Sequence, residues 1–371
     1  MKITPEQLYK RQTTLKEVGE KGQQKLLQAR VVIVGCGGLG SVAAVYLAAS
    51  GIGNIHLIDY DVIDASNLHR QVFYKTVEIG KHKTEILANH IKEIAPFVKV
   101  SFSNNAISKN TVYDEINSYD YVLDCTDSLP IKYLLNDACV LTDKALIYGS
   151  LYKFDGYVAN FNVKQSDGSF SANLRDAFPE ISKEAIPNCS EVGTMNSIVG
   201  IIGLMQANEV LKLITNIGTP LTDQLLIYNS LENTQFKMKL KRSFTKEMIQ
   251  QIFDVENYVD VNCFVQDNAL LISADKLKNE LSIQTEIRNL NIISVIENID
   301  TPLPFDVNVK IPFSKFNDIK LYIEEKRNIK TDNSFVIICN RGILSYTATQ
   351  QLKEKYPNLN ILSLKGGITN Y

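Results

Sequence analysis

Several things are missing from this 371-residue chain. It has no excess of either charge, with 39 Lys and Arg against 41 Asp and Glu for a formal net charge of -2. That balance excludes a general electrostatic affinity for nucleic acid or a membrane surface. No apolar run approaches the roughly 18 residues of a membrane span. Met1-Lys-Ile-Thr-Pro-Glu6 has no apolar leader region, so a cytoplasmic protein is expected. The six cysteines, at 36, 125, 139, 189, 263 and 339, include no CxxC pair. Neither a disulfide framework nor a four-thiolate zinc site is therefore expected. There is no tandem repeat and no low-complexity tract. At 45% hydrophobic residues the chain can bury a real core, and its length suits two domains of roughly 150 residues each.

What is present begins with Val31-Val-Ile-Val-Gly-Cys-Gly-Gly-Leu-Gly40. Four apolar, mostly β-branched residues predict a buried strand, followed by a glycine-rich turn and an apolar helix to about Ser50. Asn54-Ile-His-Leu-Ile-Asp-Tyr-Asp61 predicts a second strand ending in two acids. Glycines in such a turn let the backbone approach a phosphate, and the helix N-terminus offers unpaired N–H groups. Asp59 stands where a ribose hydroxyl would be held. Alone this pattern indicates a nucleotide, most often a dinucleotide. The blocks that follow are Ser66-Asn-Leu-His-Arg-Gln71, Gly80-Lys-His-Lys83 and Tyr121-Val-Leu-Asp-Cys-Thr-Asp127. They supply an arginine, a lysine and an acid, which suit a triphosphate and its magnesium ion better than a hydride-transfer cofactor. Singly, Arg70 and Lys83 read as surface cations, Asp127 as a helix cap before Leu129-Pro130, and Arg11 as a solvated helix residue. Their joint order carries the functional reading. His56, His82 and His90 belong to no pattern and read as structural.

Periodicity organises the rest. An amphipathic helical arm is expected over 5–27. Strands at 31–34, 55–59, 98–103, 120–124, 145–149 and 156–163 alternate with helices at 39–50, 81–94, 108–117 and 129–142. This predicts an α/β, Rossmann-like, doubly wound, mostly parallel sheet, with its crevice at the carboxyl ends of the strands. Residues 165–190 read as polar and irregular, 193–214 as a long buried helix, and 224–230 with 233–241 as a closing hairpin. A first domain over 1–242, a connection over 243–268 and a smaller α/β domain over 269–371 follow.

With Tyr9-Lys-Arg-Gln12 and Ile201-Ile-Gly-Leu-Met-Gln-Ala-Asn-Glu209 added, seven ordered blocks over some 240 residues resemble the MoeB/ThiF family, prokaryotic relatives of the ubiquitin-activating enzymes. The resemblance implies ATP-dependent adenylation of the C-terminal glycine of a ubiquitin-like sulfur carrier ending in Gly-Gly, for molybdopterin or thiamine biosynthesis or tRNA thiolation. It implies nucleotide contacts from Gly35, Gly37, Gly38, Gly40, Asp59, Asp61, Ser66, Asn67, Leu68, His69, Arg70, Lys83, Asp127 and Ser128. Gly38 would let the turn approach the nucleotide. Arg70 and Lys83 would neutralise phosphate charge, and Asp127 would hold Mg²⁺. Arg11 resembles the arginine that family homodimers insert into the neighbouring subunit's site. A substrate carboxylate is already nucleophilic at neutral pH, so positioning and charge neutralisation would do the work. Cys189, in a polar loop before the long helix, matches a family cysteine able to form a covalent intermediate with the carrier. Two departures stand out. The family's paired-cysteine zinc positions hold Ser171-Ala-Asn-Leu-Arg-Asp176 and Lys241-Arg-Ser-Phe-Thr-Lys246, and the usual asparagine after the magnesium acid is Ser128.

A second resemblance lies in Phe335-Val-Ile-Ile-Cys-Asn-Arg-Gly-Ile-Leu-Ser-Tyr-Thr-Ala348 with Ile361-Leu-Ser-Leu-Lys-Gly-Gly367. A strand delivers Cys339 to a tight loop, and Ser345 opens a helix, a cradle that would stabilise a thiolate or persulfide. This C-x-x-G-x-x-S spacing resembles a rhodanese domain. It implies sulfane sulfur taken from a desulfurase persulfide or thiosulfate, with Arg341 attracting anionic donors. Where rhodaneses carry Asp-Val-Arg this chain has Ser294-Val-Ile296, so a docking module with an inactive cysteine stays open. A non-catalytic scaffold for a ubiquitin-like protein and a nicotinamide oxidoreductase are the remaining alternatives. Arg11, Arg70, Lys83 and Asp127 argue against the first, and the Asn67–Arg70 block against the second.

Overall fold

A computed structural model describes residues 3–179, 193–258, 268–282, 290–296, 298–329, 333–340, 342–368 and 371. The chain divides into two compact units, 1–260 and 261–371. Cys189 and Arg341 lie outside the described residues.

The first unit is built on an eight-stranded sheet: β1 (Arg30–Val34), β2 (Asn54–Ile58), β3 (Lys99–Ser103), β4 (Tyr121–Asp124), β5 (Ala145–Tyr152), β6 (Asp155–Phe161), β7 (Gln224–Asn229) and β8 (Thr234–Lys239). The strand order is β3-β2-β1-β4-β5-β6-β7-β8. The first five strands in that order are parallel, and the last three joins are antiparallel. β1 is central, with Val31 to Val34 buried, as expected of a strand covered on both faces. Strand order reverses between β1 and β4, so the loops leaving these two strands open the crevice.

The helices are α1 (Gly19–Gln28), α2 (Gly38–Ala49), α3 (Lys83–Ile94), α4 (Val112–Ile116), α5 (Leu129–Leu141), α6 (Leu174–Ala177), α7 (Asn196–Thr215) and α8 (Lys246–Val255). The arm expected as one helix over 5–27 is instead Pro5–Leu8, Lys10–Thr13 and α1. Gly19, at φ +54°, stands at the start of α1, where the arm changes direction.

α7 is long and apolar enough, by length and composition, to cross a membrane. It packs instead against α2, β5 and β6, with Ile198, Val199, Ile202 and Val210 buried. The α2–α7 approach is close because two glycines face it. A Cβ on Gly203 would lie 2.7 Å from the Leu39 carbonyl oxygen, and one on Gly38 would lie 2.2 Å from Val199 Cγ1.

Two features depart from the periodicity. Within the stretch expected to connect the domains, α8 packs on α5 through buried Ile249 and Phe253, and Lys109 donates to the carbonyls of Asp254 and Glu256. Within the segment expected to be irregular, α6 is buried at Leu174 and Arg175. Arg175 pairs with Asp137 at 2.6 Å and lies over the Tyr133 ring, while Tyr258 donates to Asp137 at 2.5 Å. A polar string gives no sign that its arginine is neutralised by an acid 38 residues away.

The second unit holds a parallel five-stranded sheet of β9 (Leu271–Ile272), β10 (Leu290–Ser294), β11 (Val309–Lys310), β12 (Ser334–Ile338) and β13 (Asn360–Leu364), in the order β11-β10-β12-β13-β9. Helices α9 (Ala274–Ser282), α10 (Phe316–Ile329) and α11 (Ile343–Lys355) complete it. Phe335 to Ile338 of the central β12 are buried, and Cys339 follows the strand's carboxyl end.

Candidate active site

The glycine turn is required by its neighbours. Gly35 has φ +91°, and a Cβ there would meet the Cys125 carbonyl oxygen at 2.7 Å. A Cβ on Gly40 would fall 1.8 Å from the Gly35 oxygen. The turn therefore threads between β4 and the start of α2 only without side chains. Its next residue donates to the second strand's acid: the Cys36 N–H bonds Asp59 Oδ2 at 2.7 Å, and the Asp61 N–H bonds Asp59 Oδ1 at 2.9 Å. Burial holds the Asp59 carboxyl above its ordinary pKa, so the ionised form is kept at a cost that a hydrogen-bonding ligand would offset. Gly38, expected to ease the approach of the nucleotide, has the space of its missing side chain filled by Val199.

The Ser66–Gln71 block folds over this turn. Tyr74 donates its hydroxyl to the Cys36 carbonyl at 2.6 Å. A Cβ on Gly37 would touch Gln71 Nε2 at 3.4 Å, and the Arg70 carbonyl comes as near to Gly38. Asp64 caps the turn Ala65–Asn67 by accepting from the Ser66 N–H. Arg70 donates to the Ser66 carbonyl at 3.2 Å, His69 Nδ1 lies 3.0 Å from the same oxygen, and Leu68 packs on the core. Lys83 is buried and donates to Asp61 Oδ2 at 2.7 Å, which ties the lysine to the acid pair beside the turn.

The third wall is the loop after β4. Asp124 is fully buried. It accepts from the Thr126 N–H and hydroxyl and, at 3.1 Å, from Lys132, which also donates to the Gly149 carbonyl and lies over the Tyr148 ring. Gln206 of α7 donates to the carbonyls of Asp124 and Ile147. Asp127 stands exposed at the end of this braced loop, with no hydrogen bond or ion pair among the described residues. The helix cap that Asp127 could have been is Ser128, whose hydroxyl accepts from the Ile131 N–H at 3.3 Å. A free carboxylate at the mouth of a crevice suits Mg²⁺, which keeps several waters and takes one or two carboxylates beside phosphate oxygens.

Asp124, Lys132, Tyr74 and Gln206 were not singled out from the sequence. For Asp124, Lys132 and Gln206 the signal was a polar residue inside an apolar element, because buried polar groups need partners.

Arg11 is exposed and stands apart from these groups. Tyr9 packs on Gly51, just beyond the carboxyl end of α2, and that helix's twelve residues span about 18 Å from the turn.

In the second unit Cys339 is 3% exposed. Its sulfur accepts from the Ser345 N–H at 3.4 Å and lies 3.3 Å from the Ser345 hydroxyl, itself 2.8 Å from that of Ser363. Gly342, at φ +79°, begins α11. A Cβ on Gly367 would lie 2.3 Å from the Gly342 nitrogen, so the Lys365-Gly-Gly367 turn closes against the cysteine loop.

A family model described as the ThiF family matches residues 9–248, which take in every wall of the first-unit crevice. The chain belongs to the ThiF family. It is similar to two relatives along nearly its whole length. Adenylyltransferase and sulfurtransferase MOCS3 of Drosophila grimshawi is 32% identical over 97% of this chain and 82% of the relative. Probable adenylyltransferase/sulfurtransferase MoeZ of Mycobacterium tuberculosis is 31% identical over 97% of this chain and 91% of that one. Sulfur carrier protein adenylyltransferase of Thermus thermophilus is 37% identical over 66% of this chain and 91% of its own length. Among solved structures, E. coli MccB superposes with a TM-score of 0.58 at 23% identity, covering 66% of this chain and 72% of that chain. This likeness shows that the ThiF fold is shared.

Proposed function

We propose that this ThiF-family chain uses ATP to adenylate the C-terminal carboxylate of a ubiquitin-like sulfur carrier ending in Gly-Gly, and that its second unit delivers the sulfur for a thiocarboxylate. The observation that carries the first step is the Ser66–Tyr74 segment folded onto the glycine turn, beside Lys83 and the Asp127 loop. That arrangement gathers donors and cations for a triphosphate and leaves one acid free for Mg²⁺. Carboxylate attack on the α-phosphorus would break the α–β phosphate linkage and release pyrophosphate. Arg70 and Lys83 would oppose the charge that develops on the leaving group. Mg²⁺, when bound, supplies further charge neutralisation there. Asp59 would accept from the ribose hydroxyls.

The names of the full-length relatives support pairing adenylation with sulfur transfer, and the cradle of Cys339 supports it as the sulfur-bearing residue. Attack of the Cys339 persulfide on the acyl-adenylate would expel AMP and give an acyl disulfide; attack of a small thiol on the Cys339 sulfur would then release the thiocarboxylate and leave a mixed disulfide, which a second equivalent of thiol reduces. Cys189 is the candidate for a covalent intermediate with the carrier. The donor would be a desulfurase persulfide or thiosulfate. Arg11, remote from its own crevice, fits a homodimer in which it serves the neighbouring site. No structural zinc is expected, and the place of action is the cytoplasm.

ATP–pyrophosphate exchange tests the first step. It should require Mg²⁺ and a Gly-Gly carrier, and Asp127→Ala should abolish it. Exchange at the wild-type rate in that variant would overturn the site assignment.

A further inference from the structure

Gln71 is 3% exposed beside the glycine turn. Its Nε2 donates to Asn67 Oδ1 at 2.9 Å, while its own Oε1 is buried with no partner among the described residues. A buried acceptor without a donor is costly, so something must favour this orientation of the amide. The neighbouring hydrogen bonds supply the reason. Asp64 Oδ1 accepts from the Ser66 hydroxyl at 2.6 Å and from the Ser66 N–H at 2.8 Å. These bonds, led by that of the hydroxyl, hold the Asp64 pKa low, and an ionised carboxylate can only accept. The Ser66 hydroxyl has thus spent its proton, and its oxygen accepts from Asn67 Nδ2 at 3.1 Å. The Asn67 oxygen must then face Gln71. Turning the Asn67 amide over would set oxygen against the Ser66 oxygen at one end and Nδ2 against Nε2 at the other. Turning Gln71 over would set oxygen against oxygen. Asp64 sets this polarity at the exposed end of the run, where water competes with each bond, and the buried Gln71 N–H is what holds the Asn67 oxygen at the other end.

We propose that Gln71 is a positioning residue for nucleotide binding, fixing the Asn67 amide so that its remaining N–H, and not its oxygen, is offered to a polyphosphate. A triphosphate near neutral pH presents acceptors alone, so an asparagine free to turn over would repel it about as readily as bind it. This inference rests on the ATP reading of the crevice and names a residue through which that site works.

The test is calorimetric binding of ATP and of adenosine to the full-length chain, in a double-mutant cycle of Gln71→Leu and Asn67→Ala. Each single variant should weaken ATP by about tenfold, the size of one hydrogen bond to a charged group. The double variant should be no weaker than Asn67→Ala alone. Adenosine, which has no phosphate, should bind all four proteins alike. Gln71→Met serves if Gln71→Leu does not fold, because it keeps the unbranched length, cannot donate to Asn67 Oδ1 and brings no charge near the phosphates. It should weaken ATP in the wild-type background and not in Asn67→Ala. Additive losses, or equal losses for ATP and adenosine, would overturn the positioning role while leaving the ATP site standing. A wild-type chain that binds no ATP at millimolar concentration would overturn both.

Discussion

Buried charge is where single residues of this chain can be weighed most sharply. Lys132 and Asp124 lie inside the first unit at 4% and 0% side-chain exposure. Neither could be ionised there alone, since an unpaired charge in a low-dielectric interior is strongly disfavoured. Together they are satisfied: the ammonium reaches Asp124, the Gly149 carbonyl and the Tyr148 ring, and the carboxylate also receives two bonds from Thr126. The pair braces the loop that ends in Asp127. Its worth shows when it is broken, because the partner left behind keeps its desolvation penalty. Lys132→Met, close in volume and able to fill the same channel, should lower unfolding stability by roughly 3–5 kcal/mol. It should also lower adenylation more than it lowers binding of the nucleoside part of ATP. Urea unfolding of the variant beside wild type gives the first number. A loss under about 1 kcal/mol would mean that the Lys132–Asp124 contact does not brace the loop.

Between elements, the joins that matter most are those that bring together the two segments where the family's paired cysteines are replaced. Asp176, at the end of α6, accepts from the Ser243 N–H at 2.6 Å, the Ser243 hydroxyl at 3.1 Å and the Phe244 N–H at 3.0 Å. Asn173 accepts from Arg175 and donates to the Phe244 carbonyl. Arg242 pairs with Asp223, holding that carboxyl below its ordinary pKa, and Asp223 accepts from the Ala172 N–H. The two segments that would carry the family's paired cysteines are therefore stapled by carboxylate and amide hydrogen bonds. Asp176→Ala should cost about 2 kcal/mol, since bonds to an ionised acceptor are worth more than neutral ones. A chelator should leave the melting temperature of the wild type unchanged; a fall of several degrees with chelator would show a metal sharing the work. These staples mark where legibility in the sequence ended. Strands and helices were readable to within a few residues over most of the first unit, and around Cys339 in the second, because each shows its period locally. β1, α2, α5 and β12 are examples. Asp176 to Ser243, Arg175 to Asp137 and Gln71 to Asn67 were not readable, because a polar residue in a polar string looks the same whether it is solvated or bonded across 67 residues. The glycine turn, Asp59 and Lys83 were legible as a set since their spacing repeats a phosphate-binding logic. Gln71 was visible only as part of its block.

The whole chain joins two α/β units whose chemistries are separable by design. Under the proposed function the first would need a crevice for a triphosphate and a carboxylate, with Asp127, Arg70 and Lys83 as its candidate residues. The second would need one sulfur that can carry another, and Cys339 is the candidate. Its sulfur receives the Ser345 N–H at the start of α11, backed by the Ser345 and Ser363 hydroxyls, and donors of this kind stabilise thiolate and persulfide alike. Cys339→Ala should thus leave ATP–pyrophosphate exchange at the wild-type rate and stop the appearance of carrier thiocarboxylate. Mass spectrometry reads this as the loss of the product in which one carrier oxygen is replaced by sulfur. Cys339→Ser is the closer control, since it keeps the hydrogen bonds of the cradle and removes only the sulfur. If both variants still thiolate the carrier at the wild-type rate with a persulfide donor, the second unit is a docking module and the sulfur reaches the adenylate by another route. If exchange falls along with thiocarboxylate, the two units do not work independently, and the cysteine loop contributes to the first step as well.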